Sequence, residues 1–141
     1  MQLEMACEKI LQFDQNIRYA GFADSLGKIV AERTKSGITL HLTKQESDMS
    51  IIQATMRVGI RRKFEPRLGK MMFSYTHYEM VKRISIPLFH GESENFEMIS
   101  PYVLLLSLET ACAHEELVLN KILPFLDKEG FNKVRKSQVA N

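Results

Sequence analysis

Residues 102–108 read Tyr-Val-Leu-Leu-Leu-Ser-Leu, a nearly unbroken apolar run bounded by Pro101 and Glu109. A strand with one face in water alternates apolar and polar side chains, so a continuous run of this length implies a strand covered on both faces. The chain must therefore build a sheet and supply a layer for each side of it. Its 141 residues suit one domain. With 45% hydrophobic and 26% charged residues, a chain this long buries enough surface to fold without a disulfide or a metal. This balance excludes collagenous, disordered and disulfide-stapled classes.

The segments before this run supply the sheet and its cover. Leu3, Cys7, Ile10 and Leu11 recur at helical spacing, and Asp14-Gln15-Asn16 is turn chemistry that ends this helix. Ile17 to Ala23 reads as a strand in which Ile17, Tyr19, Gly21 and Ala23 alternate with Arg18, Ala20 and Phe22. Asp24-Ser25-Leu26-Gly27 makes a hairpin turn, and Lys28 to Arg33 is the return strand. After Lys35-Ser36-Gly37, Ile38 to Leu42 fits a short strand or a packed loop. Thr43 and Glu46 then form a capping box, and Asp48 suits the positive end of the helix that follows. Its apolar stripe is Met49, Ile52, Met56, Ile60 and Phe64, with Pro66 and Gly69 punctuating the end.

Beyond Gly69 the period changes. Lys70 to Tyr78 is a strand with Phe73, Tyr75 and His77 on one face, and Val81 to Phe89 is another, with Pro87 confined to an edge, a bulge or a strand end. Gly91 to Ser100 is an acidic loop carrying Glu92, Glu94 and Glu97. A last helix begins near His114 and places Leu119, Ile122, Leu123 and Leu126 at helical spacing, with Leu117 and Phe125 beside them. Pro124 either kinks it or opens a second short helix, and Gly130 ends it. The order is α-β-β-α-β-β-β-α. It predicts an α+β domain over 1–126: one five-stranded antiparallel sheet with the long helix on one face and the terminal helices on the other. Residues 127–141 form a short basic tail with Lys133, Arg135 and Lys136.

The stretch Ile17-Arg18-Tyr19-Ala20-Gly21-Phe22-Ala23-Asp24-Ser25-Leu26-Gly27-Lys28-Ile29-Val30-Ala31 resembles the first hairpin of the roadblock family, a relative of longin, profilin and PAS-like sheets. With Lys82-Arg83-Ile84-Ser85-Ile86-Pro87-Leu88, it also resembles small single-domain proteins of archaea. The resemblance covers residues 1–126 as a topology. It implies a non-enzymatic protein whose dimer forms a platform that scaffolds or regulates a protein partner, a small GTPase being the type. Roadblock dimers pair through the long helix and the adjacent strand, which here points to Ile52, Met56, Gly59, Ile60, Phe73 and Tyr75. Gly59 costs about 1 kcal/mol relative to Ala within a helix. Something therefore packs closely against it, either the underlying sheet or the same helix of a second copy.

Charge is distributed unevenly. The formal net charge is only +2, which predicts neither nucleic-acid nor membrane binding. Yet Arg57, Arg61, Arg62, Lys63, Arg67 and Lys70 fall within fourteen residues opposed by Glu65 alone. One reading is a solvated helix end whose cations suit the dipole. The other is a docking surface formed by Arg57, Arg61, Arg62 and Lys63, since the guanidinium fork suits carboxylate or phosphate. Nucleic acid is disfavoured because no aromatic–basic motif accompanies the cluster.

Catalytic chemistry has little support. His77 and Glu79 form an H-x-E without the further ligands that zinc needs. Cys112 and His114 form a C-x-H, more simply read as a buried structural cysteine. There is no phosphate-binding loop, dinucleotide fingerprint, zincin motif or nucleophile elbow. No metal and no cofactor are expected. The two cysteines, Cys7 and Cys112, match no disulfide framework, and the opening residues lack a signal peptide. The run from Tyr102 to Leu106 is far short of the about 20 residues a bilayer requires, so a cytoplasmic protein without membrane insertion is expected.

Three function classes follow. A roadblock-type module predicts a symmetric dimer burying well over about 1,000 Å². A PAS-like small-molecule sensor predicts a cavity of at least about 300 Å³ between sheet and helix, for which Phe73, Tyr75, His77 and Tyr78 would be the aromatic lining. A nucleic-acid-associated protein predicts a continuous basic face and steeply salt-dependent binding. The first is favoured.

Overall fold

The computed structural model describes residues 1–88 and 102–131. Helix α1 (Leu3–Leu11) leads into the hairpin β1 (Ile17–Ala23) and β2 (Ile29–Thr34). The long helix α2 (Lys44–Arg61) runs into a 3-10 turn at Arg62–Phe64 and a short helix α3 (Glu65–Leu68). Strands β3 (Ser74–His77), β4 (Lys82–Pro87) and β5 (Val103–Leu108) follow. The chain closes with α4 (His114–Leu117), a π-helical segment at Val118–Ile122 and α5 (Leu123–Lys128). The strands form one antiparallel sheet in the order β2-β1-β5-β4-β3, the expected single five-stranded architecture.

Both faces of the sheet are covered, which explains the continuous apolar run. Leu104, Leu106 and Leu108 of β5 join Ile10, Phe22, Ile84, Ile122 and Leu126 in the larger core, built with α1 and the C-terminal helices. Val103 and Leu105 point the other way and pack with Ala23, Ile51 and Val58 beneath α2. Phe131 is buried and stacks on Phe22 with ring centroids 5.7 Å apart, so packed chain extends past α5. Pro124 sits in the first turn of α5, the second of the two placements open to it. In this last helical stretch Leu119 is exposed, and Val118 takes the inward place expected of it. The π segment turns the face by part of a residue and so shifts which side chains point inward.

Several boundaries move. In β1 a bulge between Ile17 and Tyr19 puts Ile17 with Ala20 and Phe22 rather than with Tyr19, and β1 is buried on both faces. The strand expected over Lys70–Tyr78 narrows to Ser74–His77, because Glu65 caps the amide of Met71 at 2.9 Å and holds the preceding segment out of the ladder. Residues 38–42 are loop, without strand pairing. Phe89, the acidic loop at 91–100 and the basic tail beyond Phe131 lie outside the described residues.

Candidate functional site

Helix α2 is fixed at its start by the expected capping box. The Thr43 hydroxyl accepts from the Glu46 amide at 3.1 Å, and the Thr43 amide donates to Glu46 Oε1 at 3.0 Å. These bonds hold the Glu46 carboxyl below its ordinary range. The face set against the sheet is Ile51, Thr55 and Val58. Thr55 satisfies its buried hydroxyl by donating to the Ile52 carbonyl at 2.9 Å. The β1–β2 turn abuts this helix so closely that a Cβ on Gly27 would lie 2.7 Å from Ile52 Cα, and Gly27 also has φ +84°.

The stripe of Met49, Ile52, Met56, Ile60 and Phe64 consequently faces outward, with exposures from 39% to 60%. Gly59 lies on the same outer side, and a Cβ built there meets nothing within 4 Å. This overturns close packing of Gly59 on the underlying sheet as the reason for its place in the helix.

Phe73 and Tyr75 do not join that face. Phe73 packs on the larger core, on the far side of the sheet from α2. The Tyr75 ring lies on His114 with centroids 4.2 Å apart. The pairing of Tyr75 with Ile84 sends both side chains to the side of the terminal helices. Among the described residues β3 itself is an edge strand, bonded to β4.

The basic cluster also divides. Arg62, in the 3-10 turn, donates through Nε to Glu65 Oε1 at 3.2 Å, and the two side chains are only 8% and 7% exposed. Arg62 is therefore turned inward and belongs to the fold rather than to an exposed docking set. Arg57, Arg61 and Lys63 are exposed. Among the described residues Arg57 and Arg61 make no ion pair.

A groove of about 310 Å³ separates α2 from the β3–β4 ladder. Ser50, Gln53, Arg57 and Arg61 form its helical wall, and Ser74, Thr76, Arg83 and Ser85 contribute from the strands. Arg83 Nη1 donates to Ser50 Oγ at 3.0 Å across it. Among the described residues no Asp or Glu lines it. Tyr19 also lines it and its hydroxyl donates to Glu32 Oε2 at 2.6 Å, and burial together with this bond drives the Tyr19 pKa far upward. Tyr19 lies over Gly21, where a Cβ would stand 2.2 Å from the Tyr19 hydroxyl. The strand pairing Arg83↔Thr76 and the placement of α2 bring Arg83 beside Arg57 and Arg61, and only the alternating polar position of Arg83 in its strand hinted at this. Of the aromatic set, Tyr75 and Tyr78 border the groove, but the Tyr75 ring is committed to His114. The groove's character is thus cationic and hydroxylic rather than aromatic.

The motifs weighed for catalysis lie elsewhere. Cys7 is buried with its thiol pushed up to about 12, and burial also raises Cys112. Both shifts oppose thiolate formation, the reverse of an activated nucleophile. His114 Nδ1 faces the Lys82 ammonium at 3.2 Å, while Lys82 Nζ donates to the Cys112 carbonyl at 2.7 Å. His77 and Glu79 are exposed. Among the described residues no group of three His, Cys, Asp or Glu side chains is placed to hold a metal ion, and no helix is long and apolar enough to cross a membrane.

No protein-family model and no curated protein matches the sequence. Solved structures do match the fold. The gliding protein MglB of Thermus thermophilus superposes with a TM-score of 0.63 at 12% identity, over 94% of this chain and 87% of that one. An MglB in a tetrameric arrangement gives 0.60 at 14% identity, over 82% and 76% of the two chains. A Roadblock/LC7 domain from Streptomyces avermitilis gives 0.57 at 10% identity, over 89% and 98%. These structures share the architecture of one five-stranded sheet with helices, and the chain has the roadblock fold.

Proposed function

We propose that this chain is a non-enzymatic regulatory or scaffold module of roadblock type that works as a homodimer. The observation that carries this reading is the outward stripe of Ile52, Met56 and Ile60 around Gly59, a helix surface with no cover among the described residues of the single chain. A second copy of α2 is the occupant that suits it. The bare Cα of Gly59 lets another backbone approach, and the flexible Met side chains adapt to a copy of themselves. Among the described residues the outer edge of β3 is unpaired and offers a second element for pairing, while Phe73 packs on the core and the Tyr75 ring lies on His114. The tetrameric arrangement of an MglB with the same fold supports self-association.

Arg57, Arg61 and Lys63 give the module its exposed positive surface, where an acidic protein partner would dock, a small GTPase among the candidates. Sedimentation of Ile60→Asp and Gly59→Trp tests the dimer. Both variants should dissociate at concentrations where the wild type is paired. Variants that remain paired as tightly as wild type would remove α2 from the interface.

A further inference from the structure

We infer that the groove between α2 and the β3–β4 ladder binds the phosphate groups of a small soluble molecule. Three arginines line the groove from two separate elements, Arg57 and Arg61 from the helix and Arg83 from the strand. Among the described residues no carboxylate lines it, and Arg57 and Arg61 have no ion pair. A solvated helix end accounts for Arg57 and Arg61 but not for Arg83, which reaches the same space from the sheet. Arg83 is moreover held in place by its bond to Ser50, so one fork is oriented before any ligand arrives.

Planar forks with five donors each recognise phosphate oxygens in pairs. The hydroxyls of Ser50, Ser74 and Thr76 add further donors without adding charge. The volume of about 310 Å³ stands at the lower end of small-molecule clefts, about 300–1,000 Å³. This favours a compact polyanion over a peptide chain. The site does not depend on dimerisation through the outer stripe. At 3.6 residues per turn, Arg61 points about 100° or more around the helix from Ile52, Met56 and Ile60, and Arg57 about 100° or more from Ile52 and Met56 and about 60° from Ile60, so a second copy centred on Ile52 and Met56 leaves Arg61 facing the groove.

The test is a titration of the full chain with pyrophosphate in about 150 mM NaCl, where loosely held surface ions are screened within about 8 Å, read by amide chemical shifts and by calorimetry. Binding should saturate at one site per chain, with the largest shifts at Ser50, Arg57, Arg61, Ser74 and Thr76. Arg57→Gln/Arg61→Gln should weaken it at least about tenfold, as expected for losing two charge-assisted donors. Lys28→Gln/Lys128→Gln removes the same charge from exposed positions away from the groove and should leave the affinity within about twofold. Should the glutamine pair fail to fold, Arg57→Lys/Arg61→Lys keeps the charge, removes the forks and should still weaken binding several-fold. Non-saturating shifts, equal weakening by the distant lysine pair, or binding of a phosphoserine peptide without binding of pyrophosphate would each overturn the assignment. Light scattering on the same samples reads the dimer separately, so failure of one reading leaves the other measurable.

Discussion

Lys82 and His114 meet at 3.2 Å between Nζ and the imidazole Nδ1, at the point where β4 passes the start of α4. An ammonium can only donate, so Nδ1 must accept and the ring is held neutral with its proton on Nε2. Burial lowers the His114 pKa, and Lys82 lowers it further, while Glu115 opposes and His77 adds to the effect. The folded chain therefore binds this proton less readily than the unfolded chain does. The stability that His114 contributes is full above the unfolded value of about 6.5 and is lost as pH falls from there through the folded pKa. Urea midpoints measured from pH 7.5 to 5 should fall more steeply for wild type than for His114→Gln. Equal slopes would show that the imidazole is not held neutral here.

The division of the basic cluster gives a contrast between neighbours. Arg62→Ala leaves the buried Glu65 carboxylate without its ion pair and should cost about 3 kcal/mol. Arg57→Glu/Arg61→Glu touches exposed side chains and should change stability by about 0.5 kcal/mol or less. Chemical denaturation of the two variants side by side checks this. Comparable losses would place Arg57 and Arg61 in the fold.

Much of this architecture was legible because local signals agreed with the final packing. The Thr43–Glu46 box, the turn at Gly27, the apolar run at 102–108 and the hairpin resemblance at 17–31 all led to the observed elements. What was not legible is which stripe of α2 turns inward. Met49, Ile52, Met56 and Ile60 repeat at helical spacing as well as Ile51, Thr55 and Val58 do, and they are the more apolar set. The choice is a matter of tertiary packing, with the Gly27 turn set against Ile52 and Thr55, and it has no local signature. Arg62 was misplaced, and Arg83 was not singled out, because their positions also depend on tertiary contacts. One finds Glu65 across a 3-10 turn, and the other reaches the groove through a strand pairing.

The capping box makes a further prediction. Thr43→Ala removes the acceptor for the Glu46 amide and should cost about 1 kcal/mol, whereas Thr43→Ser should keep most of it. Thermal melts of both variants separate these outcomes. An Ala variant as stable as wild type would mean that packing alone holds the first turn.

Gly59 separates monomer stability from assembly. Because a Cβ there meets nothing in the single chain, Gly59→Ala should raise helix stability by up to about 1 kcal/mol. Gly59→Trp should fold while pairing less. Denaturation together with sedimentation of the two variants reads both effects. A destabilised Gly59→Ala monomer would show that the backbone at this position is under a constraint the fold does not display.

The most direct measurement is the molar mass of the wild-type chain by light scattering over a wide range of protein concentration. The monomer mass is 16.3 kDa. The account predicts twice that mass at high concentration, reverting toward the monomer on dilution or with Ile60→Asp. A mass that stays at 16.3 kDa at the highest concentration reached would contradict it.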